Sequence, residues 1–231
     1  VGSEMCIRDR DIGSFIMEAD GVRWAIDLGP QDYTSLETVG IDLWNRKQNS
    51  QRWDVYRYNN FSHNTLAFDH KKQNVNGYTR IDSYGDSAGF MHLVSDLSNA
   101  YKSQVKSCNR GIAVVDNRFV VVQDEIETLD KPTELTWTMV TRAAVRKLND
   151  CTLELTEKGK KMIFKVESNQ KIKLRSVPAK SSNSYDESND GVTLIGFETS
   201  IPALAQARYC VKLIPRNTKA KYKITPLKEW K

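Results

Sequence analysis

Nowhere in this chain of 231 residues is there an unbroken apolar run of the ~18 residues that a membrane-spanning helix needs. Nor is there an internal repeat or a long amphipathic helix, which excludes solenoids and coiled coils. The four cysteines, Cys6, Cys108, Cys151 and Cys210, are too far apart in sequence for a C-x-x-C motif. A zinc knuckle and a thioredoxin-like redox centre are therefore excluded, while a disulfide between two of the last three stays open. Residues 1–10, "VGSEMCIRDR", have no apolar core of the kind a signal peptide needs. They share no pattern with the rest of the chain and resemble translated adapter sequence, so they are read as a non-native leader, with the native protein continuing upstream.

The balance of what is present is that of an ordinary globular protein, at 39% hydrophobic and 27% charged residues. The net charge of +5 is concentrated at one end. Residues 211–231 hold seven lysines and arginines against Glu229, a local +6 that leaves the remainder at −1. A basic tail of this kind reads as a solvated edge rather than a polyanion site, and no DNA- or RNA-binding motif accompanies it.

From Phe15 onward the chain punctuates itself as antiparallel sheet. Asp20-Gly21 and Asp116-Asn117 each separate two strand-like runs, and these residue types tolerate the positive φ of a two-residue hairpin turn. Further along are the short β-rich segments "ELTWTMV", "AAVRKL", "CTLELT", "KMIFKVE", "VTLIGFET" and "ARYCVKLIP", with the polar stretch 181–190 read as an exposed loop. Many short strands with turn signals between them predict an all-β fold, a single antiparallel β-sandwich domain over residues 11–231.

One segment breaks this rhythm. Residues 32–60 run without a convincing strand and interleave Arg46, Lys47, Arg52 and Arg57 with Trp44, Trp53, Tyr56 and Tyr58. Aromatic faces stack on the apolar C–H faces of sugars and guanidinium forks clamp carboxylates or sulfates, a combination suited to an acidic polysaccharide. Single-stranded nucleic acid uses the same residue types, and loop aromatics can simply pack on their own domain. Next comes "FSHNTLAFD", residues 61–69, which reads as a strand with Phe61, His63, Thr65 and Ala67 on one face and Asn64, Leu66 and Phe68 on the other. His63 and Asn64 then need different partners, with backbone of the long loop expected for the second. His70 and His92 are read as structural.

The order Asp11, Gly13, Phe15, then Asp27 and Gly29, then His63-Asn64-Thr65-Leu66 after a Tyr/Trp/Arg loop resembles the C-terminal domain of the heparinase II/III-like polysaccharide lyases. In that family the stretch begins H-x-H-x-D-x-G-x-F, passes through a strand ending in D-x-G, and reaches H-N-T-L. The resemblance implies a metal site, usually zinc, with Asp27 and His63 as two ligands. The third ligand position falls on Asp9, and the other motif histidine, often counted in the active site, falls on Ile7. The chain as written is therefore expected to be metal-poor and inactive by itself.

The activity the resemblance implies is β-elimination on uronic-acid-containing polysaccharide, with catalytic groups shared with a preceding helical toroid domain and a periplasmic or secreted location. Tyr33, Arg52, Tyr56 and Arg57 are the candidate substrate-binding residues on the sandwich side. The competing expectation is a carbohydrate-binding or purely structural sandwich, in which Asp27 and His63 make ordinary hydrogen bonds.

Overall fold

The computed structural model describes residues 10–230. The predicted hairpins form where the turn residues place them. β1 (Met17–Ala19) and β2 (Val22–Ala25) meet at Asp20 and Gly21, with φ of 54° and 74°. β6 (Ser107–Val115) and β7 (Phe119–Glu127) meet at Asp116 and Asn117, both at φ 52°. Paired positive φ values match the right-handed twist of the flanking strands.

The other strands are β3 (Leu66–Phe68), β4 (Arg80–Ser87), β5 (Phe90–Asp96), β8 (Thr133–Thr141), β9 (Ala144–Asn149), β10 (Thr152–Glu157), β11 (Lys160–Ser168), β12 (Lys173–Pro178), β13 (Thr193–Ile201) and β14 (Gln206–Pro215). They build an eight-stranded sheet in the order β4-β5-β6-β7-β14-β11-β10-β9 and a four-stranded sheet in the order β12-β13-β8-β3. Every pairing is antiparallel.

The two sheets bury one shared core, as the all-β sandwich reading required. Val122, Leu155, Phe164, Tyr209 and Val211 of the large sheet meet Leu66, Leu135, Trp137, Ile195 and Phe197 of the small one. Trp137 stacks on Phe197 at 5.9 Å and meets Phe164 edge-on at 5.7 Å. Burial of side chains of this size stabilises by roughly 1.5–3 kcal/mol each.

A buried ion pair crosses this interior. Arg110 and Asp124 face each other directly on β6 and β7, at 2.7 and 3.0 Å, with side chains 2% and 0% exposed. Trp137 Nε1 donates to the same carboxylate at 2.8 Å. The third guanidinium nitrogen, Nη1, donates to the carbonyls of Gly13 and Asn64 at 2.7 and 2.9 Å, which ties both motif segments to the sheet.

The C-terminal segment is not a free basic tail. It folds back so that Leu227 and Trp230 cover Val94, Ala113, Phe119 and Val121 on the outer face of the large sheet. Gln123 donates to Thr225 O at 2.7 Å, and Lys212 is buried against Glu167 at 2.9 Å. Cys108, Cys151 and Cys210 are free thiols, so the open disulfide reading is answered in the negative among the described residues.

Candidate functional site

The segment between β2 and β3 carries α1 (Tyr33–Thr38) and three single turns of 3-10 helix at Gln51–Asp54, Tyr56–Tyr58 and Asn60–Ser62. Asp32 caps α1 by accepting from Ser35 N at 2.9 Å, and Ser50 caps the next turn by accepting from Arg52 N at 3.2 Å. Leu36, Leu43, Trp53, Val55 and Tyr58 form a small core of the segment's own, which is why so long a connection is ordered.

The strand predicted for residues 61–69 is shorter than its sequence suggests. Asn60–Ser62 is a 3-10 turn, and the strand begins only at Leu66. The reason lies on the edge of β8. There Thr138 N donates to Thr65 O at 3.0 Å, Val140 N donates to the side-chain oxygen of Asn64 at 2.6 Å, and Ile26 N donates to Val140 O at 2.9 Å. The Asn64 amide thus takes the place of a strand backbone in the ladder. Its nitrogen donates to Phe15 O at 2.6 Å and Ile26 O at 2.9 Å, so the expected partner in the long loop is replaced by backbone flanking β1 and β2. Ser62, His63, Asn64 and Thr65 are all at most 2% exposed, and each polar side chain has a partner.

His63 turns the other way. Its Nδ1 lies 3.1 Å from Asp27 Oδ2 and its Nε2 3.0 Å from Arg57 O. A carboxylate and a carbonyl both accept, so whichever ring nitrogen carries a proton has an acceptor within hydrogen-bonding distance. Asp27 also accepts from Gly29 N at 2.7 Å. The hydrogen bond from His63 is the largest influence on Asp27 and, with the Gly29 N–H, outweighs burial, holding the carboxyl below the usual range. Asp11 is pushed the opposite way: burial raises it and Asp27 adds to that, while the charge of His63 opposes.

The four candidate substrate residues occupy different surroundings. Arg52 is 4% exposed; its guanidinium donates to Leu43 O at 2.9 Å and lies over the rings of Tyr33, Trp53 and Tyr58 at 5.0–5.9 Å. Tyr33 meets Trp44 and Tyr58 edge-on, with its hydroxyl buried and unpartnered among the described residues. Both belong to the inner packing of the long segment.

Arg57 and Tyr56 lie where that segment meets the 181–190 loop. Arg57 pairs with Glu187 at 2.7 Å and donates to Asn189 Oδ1 and Ser188 O, while Tyr56 N donates to Asp186 at 2.9 Å. The 181–190 loop, expected to be exposed, is exposed or half-buried along its length and packs Asp186, Glu187, Ser188 and Asn189 against Tyr56 and Arg57. Tyr56 also lines a cavity of about 270 Å³ with Phe61, His70, Thr136, Arg175 and Lys180. Its hydroxyl is buried without a partner among the described residues, and burial pushes its pKa up to about 12. Sequence reasoning missed Arg110 and Asp124; the signal was a charged residue on each of two facing valine-rich strands, at positions that alternation turns inward.

A nitrogen and a carboxylate oxygen are ligand types that zinc accepts, but a closed site takes four ligands. Among the described residues no three His, Cys, Asp or Glu side chains converge to hold a metal ion. Asp27 and His63 by themselves therefore do not fit a tight zinc site; Asp9 and Ile7 lie outside the described residues.

Fold and site together define an antiparallel β-sandwich with a histidine–aspartate pair at the edge of its small sheet. The profile of the family described as heparinase II/III-like, C-terminal, matches residues 9–200, and the chain belongs to that family. The match stops short of β14, which sits in the middle of the large sheet.

Solved structures share the fold. The heparan sulfate lyase HepC from Pedobacter heparinus is 12% identical with a TM-score of 0.67, over 92% of this chain and 31% of that one. A structure titled heparinase III is 15% identical with a TM-score of 0.66, over 91% and 30%. The heparinase III-BT4657 gene product is 17% identical with a TM-score of 0.62, over 90% and 30%. The chain thus spans less than a third of the length of these structures. A comparison with curated proteins gave no match.

Proposed function

We propose that this chain is the sandwich portion of a lyase that cleaves uronic-acid-containing polysaccharide by β-elimination. The observation that carries the reading is that Asp27 of D-x-G and His63 of H-N-T-L, 36 residues apart, come together at 3.1 Å within the family match. In β-elimination the uronate carboxylate is neutralised, a base removes the C5 proton, and an acid protonates the leaving glycosidic oxygen. Tyr56, which lines a cavity with Arg175 and Lys180, and Arg57, beside it at the Glu187 contact, are the candidate contacts to an acidic sugar.

The proton-transferring groups are assigned to a preceding helical domain, and this chain alone is proposed to be inactive. The zinc reading belongs to the same proposal in reduced form, with Asp27 and His63 as two donors that need a third from outside the described residues. A polymeric substrate favours a periplasmic or secreted location.

The test is the polypeptide including its upstream domain, incubated with uronate polymers and followed by ultraviolet absorbance of the unsaturated product. Turnover that falls in Tyr56→Phe and is absent from residues 1–231 alone supports the proposal. A folded full-length protein that forms no unsaturated product on any uronate polymer overturns it. One observation favours the second reading, a non-catalytic carbohydrate-binding or structural sandwich: Arg52 and Arg57 already spend their charge inside the domain, and Asp27 and His63 make an ordinary hydrogen-bonded pair.

A further inference from the structure

A second concavity is lined by none of the residues that contact Asp27 or His63. Trp44, Arg46, Lys47 and Gln48 from the long segment, together with Lys102 and Gln104 from the turn before β6, bound an open groove of about 850 Å³. A neighbouring hollow of about 550 Å³ shares Gln48, Lys102 and Gln104 with it and adds Lys71 and Lys72. Among the described residues Asp54 is the one carboxylate on either lining, and it is taken by Lys72. Arg46, Lys47 and Lys102 form no ion pair among the described residues. Arg46, Lys47 and Lys102 therefore leave the groove net positive, with Glu37 and Asp42 at its Trp44 end held in hydrogen bonds to that residue.

Two further features say what kind of anion fits. Trp44 is 56% exposed, yet its indole N–H donates to Glu37 Oε1 at 2.7 Å, its backbone N–H donates to Asp42 Oδ1 at 3.2 Å, and its ring meets Tyr33 edge-on at 5.9 Å. An exposed aromatic face held still by its own protein loses little freedom when a ligand stacks on it. Gln104, which lines both hollows, is 7% exposed and donates to Lys72 O at 3.0 Å, and its buried side-chain oxygen has no partner among the described residues. That oxygen can only accept, so it calls for a donor such as a hydroxyl. A single stacking face, cations and a hydroxyl acceptor suit an anionic sugar; single-stranded nucleic acid needs a succession of stacking platforms.

We propose that the groove bounded by Trp44, Lys47, Lys102 and Gln104 is a binding site for an anionic oligosaccharide, separate from the Asp27–His63 pair. It rests on the lyase reading only for the choice of polymer, and its test needs no turnover. Residues 1–231 are titrated calorimetrically with a sulfated uronate oligosaccharide, a neutral glucan oligosaccharide and a single-stranded oligonucleotide.

The sulfated saccharide should bind with an affinity that falls as salt rises, and the neutral glucan should bind at least about tenfold more weakly. Lys47→Ala combined with Lys102→Ala should weaken the sulfated saccharide at least about tenfold, and Trp44→Ala to a similar degree. Lys219→Ala with Lys221→Ala, which removes the same charge from the C-terminal segment, should leave the affinity unchanged. The double lysine variant sits on the surface and keeps the test decisive should Trp44→Ala fail to fold.

Wild-type affinity in the Lys47/Lys102 variant, equal weakening by the Lys219/Lys221 variant, or an oligonucleotide that binds as tightly as the saccharide would each overturn the proposal. Saccharide binding that is lost with Lys47 and Lys102, in a protein whose full-length form makes no unsaturated product, would sink the lyase reading and leave the groove standing.

Discussion

At the scale of single residues, the polar groups that look out of place in the sequence are the ones that hold the site together. Asp124 is enclosed with Arg110 and Trp137 and has no access to water. Removing one partner of such a pair strands the other charge, so Asp124→Ala should destabilise the fold by about 3–5 kcal/mol, measured by denaturant unfolding. Replacing both members with apolar residues of similar volume should cost much less, because no charge is then left buried alone.

Asp27 makes a pH-dependent contribution of the opposite accessibility, since its side chain is 47% exposed. Its folded pKa is depressed, first by the His63 hydrogen bond, so the folded state binds its proton less readily than the unfolded chain does. The stabilisation is therefore present above the unfolded carboxyl value of about 3.9 and is lost as pH falls through the lower folded value. Thermal unfolding of the wild type and Asp27→Asn should differ at neutral pH and converge in acid. A gap that stays constant across that range would show that the carboxylate charge is not what matters.

At the scale of elements, the outer face of β6 depends on what the C-terminal segment lays over it. Gly111 has Leu227 and Trp230 where a Cβ would stand, with Trp230 Cζ3 at 2.6 Å from that position. Gly111→Val should therefore push the segment off the sheet, exposing Val94, Phe119 and Val121 and costing about 1–3 kcal/mol. Limited proteolysis should then cut within residues 216–230 at a rate the wild type does not show; protection equal to wild type would mean the segment repacks.

The same local forces decide which elements were legible. The hairpins at Asp20-Gly21 and Asp116-Asn117 could be read because positive φ restricts residue choice at the turn itself. β4 and β12 are edge strands with mostly exposed, polar sequences, so neither alternation nor apolar content marked them. The stretch around His63 and Asn64 was read as strand because its apolar neighbours are strand-like, but a side-chain amide filling a backbone place in the ladder has no periodic signature.

At the scale of the whole molecule, the sequence by itself determined the class of fold and the turns, because local backbone preference and apolar alternation act over a few residues; the Asp27/His63 pair was legible only through the resemblance to the family's motifs. The tertiary structure decided where the arginines go. Arg52 and Arg57 look equally free in the sequence, yet one is consumed by an inner core and the other by the 181–190 loop, whereas Arg46, Lys47 and Lys102 are left open beside Trp44. It also decided that a basic C-terminal segment should cover a sheet instead of standing in solvent. These outcomes depend on which distant segments arrive within hydrogen-bonding distance of one another, and such long-range pairing leaves no trace in the spacing of residues along the chain.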